Sequence, residues 1–169
     1  MARNVEIKAR LADPAATRRL VEAAADGPPE SLAQTDTFFE VPRGRLKLRE
    51  VAGRDAELIW YERGDTPDPS ESRYEIVRVA DGSALRELLG AALGGRAQVV
   101  KRRLVFHVGR TRVHLDEVAG LGSFLELEVQ LAAGERAPEG AAEARTLMER
   151  LGIREAWLVA EAYVDLLER

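Results

Sequence analysis

Charged side chains recur two residues apart along this sequence: Glu6 and Lys8, Lys47 and Arg49, Arg73 and Glu75, Lys101 and Arg103, Arg112 with His114 and Asp116, and Glu126 with Glu128. A spacing of two places side chains on one face of a strand. The intervening positions are largely apolar, as with Leu125, Leu127 and Val129 around the two glutamates. Each strand therefore has a charged face and a face that needs cover. The charged set mixes Lys and Arg, which bind anionic oxygens, with Glu and Asp, which take cations. An open sheet with its charged face in water is one way to build this pattern. A closed barrel with a charged lumen is the other, and two features favour it: the faces largely avoid neutral polar residues, and Lys and Arg cluster apart from Glu and Asp. Cations confined in a lumen would repel one another at low dielectric unless an anion sat among them, and the carboxylates call for a cation. Together they call for a polyanion with a divalent metal, which describes a metal-bound triphosphate.

The elements that must position these residues can be read from the chain. Asn4, Glu6, Lys8 and Arg10 alternate with Val5, Ile7, Ala9 and Leu11, predicting a first strand. Asp13-Pro14 is a helix start, and Asp26-Gly-Pro-Pro29 stops that helix. Ser31–Val41 reads as a strand, Pro42-Arg-Gly44 as a turn and Arg45–Val51 as the hairpin partner, followed by a strand through Leu58–Arg63. Gly64–Ser70, with two prolines, reads as a loop and a lid. Glu71–Val79 predicts a strand and about Ser83–Leu93 a helix. Gln98–Val108, Thr111–Val118 and Phe124–Leu131 predict a three-strand meander, and Ala141–Leu151 and Glu155–Leu167 two closing helices. This amounts to an α+β chain whose roughly eight strands form a closed antiparallel barrel with peripheral helices near Leu20, Leu88, Leu147 and Leu158.

The 169 residues suffice for one domain, with 46% hydrophobic and 32% charged residues, a globular composition. Absence of cysteine excludes disulfides, thiolate metal sites and cysteine nucleophiles. No stretch approaches a membrane span, no apolar signal core opens the chain, and a cytoplasmic location is expected. A net charge of -4 argues against nucleic acid as a generic partner.

Several motifs resemble those of the CYTH family, the triphosphate tunnel metalloenzymes. Asn4-Val-Glu-Ile-Lys8 is similar to its N-terminal signature, with Asn4 where the family usually has Glu. Pro42-Arg-Gly-Arg-Leu-Lys-Leu-Arg49, His114-Leu-Asp-Glu-Val118, Gly122-Ser-Phe-Leu-Glu-Leu-Glu-Val129 and Tyr163-Val-Asp-Leu-Leu167 are similar to its later motifs. The resemblance spans essentially the whole chain and is nearest to the class IV adenylate cyclases. It implies a tunnel that binds a nucleoside triphosphate or other triphosphate with Mg2+ or Mn2+. Carried over, Glu6, Asp116, Glu126 and Glu128 would hold metal. Lys8, Lys47, Arg49, Arg73, Lys101, Arg103 and Arg112 would hold phosphate oxygens, with Lys8, Arg112 and His114 nearest the chemistry and Arg10 and Arg63 at the rim.

Three activities fit: a nucleotidyl cyclase converting ATP to cyclic AMP and pyrophosphate, a triphosphatase acting on inorganic triphosphate, thiamine triphosphate or a nucleotide, and an organic-phosphate binder without turnover, for which Asn4 speaks. Metal ions can activate the attacking oxygen and stabilise the leaving group, which suits a chain with only His107 and His114. His114 shares the parity of Arg112 and Asp116, where it would meet substrate or orient Asp116, whereas His107 is expected near the covered face. Gly90–Gly95 lacks the lysine of a phosphate loop and reads as a turn. Phe38, Phe39, Trp60, Tyr61 and Phe124 read as core or rim aromatics, and Trp157 or Tyr163 as contacts of a homodimer.

Overall fold

The two-residue alternation becomes eight antiparallel strands in a computed structural model describing residues 1–169. They are β1 (Ala2–Arg10), β2 (Glu30–Phe39), β3 (Arg45–Val51), β4 (Ala56–Arg63), β5 (Ser70–Val79), β6 (Gly95–Val108), β7 (Thr111–Val118) and β8 (Gly122–Gln130). Hairpins link β2 through β5, and β6 to β8 form the expected meander. The sheet closes in the order β1-β5-β4-β3-β2-β6-β7-β8, because β1 pairs with both β5 and β8. Closure leaves no unpaired edge, so every strand has one face in the lumen and one outside.

The apolar core lies outside the barrel. Ile7 and Ala9 of β1, Leu11 just beyond it, Phe106 of β6, Val113 of β7, and Leu125 and Leu127 of β8 pack against Val21 of α1 (Pro14–Ala24) and Leu147 and Met148 of α3 (Ala137–Arg150). Asp13 caps α1 by accepting from Ala16 N at 2.9 Å, as its position before Pro14 predicts. Gly140 lets α3 lie close on β1, since a Cβ there would meet Leu131 and Val5 at 2.7 and 2.9 Å. α2 (Gly82–Leu93) lays Leu85 and Leu89 on a smaller cluster of Phe39, Leu48 and Ala56. The helices expected near Leu20 and Leu88 do cover the sheet, through Val21 and through Leu85 and Leu89, while Leu20 and Leu88 themselves are exposed. No helix is long and apolar enough to cross a membrane.

The chain's end departs most from expectation. Glu155–Leu167 is not one helix but a 3-10 turn (Glu155–Trp157), an extended stretch, and the short helix α4 (Tyr163–Leu167). Tertiary pairing overrides the helical pattern, since Leu158 bridges Ala9 and Val159 N donates to Lys8 O at 2.8 Å. The segment thus crosses one end of the barrel, and α4 is fixed there by Arg45 and Arg96, both paired with Asp165. Tyr163, buried in this end, is not available for a dimer contact. The Gly64–Ser70 loop is tied to the same end, with Arg45 donating to Asp65 at 2.8 Å.

Candidate active site in the barrel lumen

A cavity of about 380 Å³ runs down the barrel. Its floor is formed by Ala162 and Tyr163, both buried, and its mouth by the exposed Glu30, Arg54, Asp55 and His107. Between them, the inward faces deliver Lys8, Lys47, Arg49, Arg63, Lys101, Arg103 and Arg112, together with the carboxylates of Glu6, Asp36, Asp116, Glu126 and Glu128. Glu57 lines the same cavity, so seven basic side chains stand against six carboxylates. An ionised organic triphosphate carries about −4, and a divalent ion would offset two of those charges.

The network is organised by pairings that sequence parity alone did not reveal. Asp36 of β2 accepts from Lys47 Nζ at 2.9 Å and from Arg49 Nε and an Arg49 terminal nitrogen at 3.0 and 3.1 Å, with Lys101 Nζ at 3.9 Å. Burial would push its carboxyl up, but Arg49, Lys47 and Lys101 outweigh burial and hold it well below the carboxylate range. Asp116, expected as a metal ligand, is held by both oxygens: Arg103 donates to them at 2.7 and 2.6 Å, and the Tyr163 hydroxyl donates at 2.9 Å. It therefore stands apart from the group that gathers around His114. Lys8 donates to the Glu161 carbonyl at 2.9 Å and lies 3.9 Å over the Tyr163 ring.

The group that fits a metal consists of His114, Glu126 and Glu128, one ligand atom of each lying within 4.8 Å of the others. His114 Nδ1 sits 3.6 and 3.8 Å from their carboxylates, is buried, and has no hydrogen-bond partner. Burial, then Arg103, push the imidazole pKa down, favouring the neutral form that ligates. Glu6 stands directly across from Glu128 in the β1–β8 register. Burial and the Glu128 charge push its carboxyl up, with Arg63 offsetting only part of this. Arg63, 3.4 Å away, thus compensates Glu6 only in part. These residues fit a divalent ion, which His114, Glu126, Glu128 and Glu6 would hold. Asn4 faces the same lumen, buried, with its Oδ1 unpartnered.

Eleven of the twelve residues singled out for metal, phosphate or chemistry face the lumen. Arg73 does not. The inward residues of β5 are Ser72, Tyr74 and Ile76, so Arg73 and Glu75 point outward, and Arg73 is exposed and paired with Glu71 at 3.0 Å. With charged residues at 71, 73 and 75, parity alone did not reveal which side faced in. Arg63, expected at the rim, lies deep, donating to the Ala160 carbonyl at 2.8 Å and to Glu6 at 3.4 Å. Arg10 is a rim residue, exposed and stacked 4.6 Å from Phe124. His107 lines the mouth rather than the covered side, as the parity of Lys101 and Arg103 extended to 107 requires. Asp36, Gln34 and Tyr163 were missed. The first two share the parity of Phe38 and were legible in principle; Tyr163 depended on the path of the C-terminal segment.

Because Glu6 binds its proton more tightly in the folded lumen than in the unfolded chain, its ionised form costs stability near neutral pH. That cost vanishes as pH falls through its raised folded pKa. Glu6→Gln is therefore expected to raise the metal-free melting temperature at pH 7 by a few degrees, about 1 kcal/mol, and to reduce the further rise that Mn2+ produces. Thermal denaturation with and without the ion checks both. A variant less stable than wild type without metal would contradict the assignment.

Several solved structures share this fold. One, the PH1012 protein from Pyrococcus horikoshii OT3, has a TM-score of 0.86 at 23% identity, covering 96% of this chain and 98% of that one. A candidate adenylate cyclase from Vibrio parahaemolyticus has a TM-score of 0.76 at 21% identity, covering 98% of each chain. HpAC1 from Hippeastrum, an adenylyl cyclase candidate described as having a dominant triphosphatase activity, has a TM-score of 0.69 at 14% identity, covering 99% and 94%. No curated protein matches the sequence. The CYTH domain model matches residues 2–163, and with the closed eight-stranded barrel and its charged lumen this shows that the chain belongs to the CYTH domain family.

Proposed function

We propose that this protein is a metal-dependent enzyme acting on an organic triphosphate, with cyclisation of ATP to cyclic AMP and pyrophosphate as its reaction. One observation carries the triphosphate reading: within a single lumen, seven basic side chains from β1, β3, β4, β6 and β7 face a His114–Glu126–Glu128 group. A bound Mg2+ or Mn2+ would supply Lewis acidity toward a phosphate oxygen. The protein's own residues do the rest. Arg49, Arg103 and Arg112 offer planar forks to phosphate oxygens, and Lys8, Lys47 and Lys101 offer point charges. Developing charge on the leaving pyrophosphate is met by donors already fixed in place, Arg103 by Asp116 and Arg49 by Asp36.

A second reading is hydrolysis, favoured by the similarity in fold to HpAC1, described as a triphosphatase, and to an RNA triphosphatase from S. pombe. The two differ in the attacking oxygen, a substrate hydroxyl or water. Incubation with ATP and Mn2+ followed by chromatography separates them: cyclic AMP with pyrophosphate is expected, whereas orthophosphate would establish hydrolysis instead.

The lysines give a further check. Burial, then Arg103, push Lys101 down to about 7, and burial pushes Lys8 down to about 8. A polyanion beside them favours the charged forms, so binding must raise both values. Tripolyphosphate binding at pH 8 is expected to take up about one proton and to weaken as pH rises further. Titration calorimetry in two buffers of different ionisation enthalpy reads this; binding with no proton uptake would contradict placing the phosphates beside Lys8 and Lys101.

A further inference from the structure

One buried group in the lumen cannot be satisfied by phosphate. Gln34 on β2 is 3% exposed, and its Nε2 donates to Asp36 Oδ1 at 3.2 Å. Asp36 is ionised and only accepts, so the amide cannot be flipped, and Oε1 is left as the free end. That oxygen is buried and has no partner. Ionised phosphate oxygens are also acceptors only, so whatever meets Gln34 Oε1 must carry a donor.

Two strands along the same wall, a second acceptor stands idle. Glu57 of β4 faces inward and is half-buried. Its cross-strand neighbour Arg49 is committed to Asp36, and no cation lies within salt-bridge distance of Glu57. A carboxylate in that position repels phosphate. Toward solvent the lining turns apolar through Leu32, Val51, Ile76 and Val105, whereas the opposite end is closed by Ala162 and Tyr163. The two free acceptors therefore stand beside the cations, Gln34 opposite Lys101 and Glu57 opposite Arg49, with apolar side chains lining the way from them to the charged mouth.

We infer that Gln34 and Glu57 form the subsite for the organic group of the substrate and select one that carries hydroxyl donors next to its triphosphate, as a sugar-linked triphosphate does. This rests on the triphosphate reading above and sharpens it. The phosphate chain points toward the C-terminal floor and the sugar toward the mouth, with Gln34 Oε1 accepting from a hydroxyl. Inorganic tripolyphosphate, which has no donor there, leaves both acceptors unsatisfied. A substrate whose organic group lacks a hydroxyl does the same.

The test compares dissociation constants of ATP, 2′,3′-dideoxy-ATP and inorganic tripolyphosphate, titrated calorimetrically with a chelator present so that nothing turns over. The wild-type protein is expected to bind ATP about tenfold more tightly than the dideoxy analogue. Gln34→Met, close in shape and without the acceptor, should bring that ratio near one. Glu57→Ala, at a half-exposed position, should reduce it as well and provides the reading if Gln34→Met does not fold by circular dichroism. A wild-type ratio near one overturns the inference and leaves the triphosphate reading standing. So does a ratio unchanged by these substitutions, or a Gln34→Met variant that weakens tripolyphosphate as much as ATP, which would assign the acceptor to the phosphate layer. Failure of the wild-type protein to bind any of the three, both with the chelator and with Mg2+ in its place, overturns the triphosphate reading and the inference with it.

Discussion

Asp36 holds Lys47 and Arg49 and draws Lys101 toward them, and the rest of the lumen depends on that arrangement. Putting seven cations inside a closed barrel is costly unless each is compensated, because desolvation penalises every charge and like charges repel at low dielectric. Asp36 offsets that cost on the β2–β3 wall and Asp116 on the β6–β7 wall, where it fixes Arg103. These two carboxylates are the ones least able to serve a metal, since their oxygens are already taken. Glu6, Glu126, Glu128 and His114 lie along β1, β7 and β8, where the glutamates pair with Arg63, Arg103 and Arg112 yet crowd together around one imidazole. The lumen is thus divided into a wall that holds its donors rigidly and a wall where carboxylates gather around His114.

The outside of the barrel makes this arrangement tolerable. Val5, Ile7, Ala9, Leu125, Leu127 and Val129 are all essentially buried under α1 and α3, so hydrophobic burial is supplied by the face opposite the charges. The same strands carry both jobs because their side chains alternate. The C-terminal segment adds the floor: it takes hydrogen bonds from Lys8 and Arg63, brings Tyr163 against Asp116, and leaves the other end as the way in.

Much of this could be read from residue order. Alternation at Glu6/Lys8, Lys101/Arg103, Arg112/His114/Asp116 and Glu126/Glu128 identified strands and sides correctly because apolar neighbours marked the outer face. Arg73 failed because charges at 71, 73 and 75 are matched by exposed Val77 on the outward side and by Ser72 and Tyr74 inside, so polarity no longer distinguishes the faces. The closing helix failed because the extended run from Leu158 to Ala162 is set by pairing with β1, a long-range contact that local helical pattern does not encode. Which arginine each lumen carboxylate pairs with was likewise out of reach, since it depends on register between strands far apart in sequence.

The central claim is that one wall supplies fixed donors for phosphate while the other gathers His114, Glu126 and Glu128 where they would hold a metal, so that metal and triphosphate bind as a unit. Such a site couples the two ligands, and the coupling is reciprocal. The most direct measurement is the calorimetric affinity for tripolyphosphate with and without Mg2+. The account predicts that the ion tightens binding by about tenfold or more, and that Glu128→Gln removes most of the gain. Equal affinity with and without Mg2+ in the wild-type protein would contradict it.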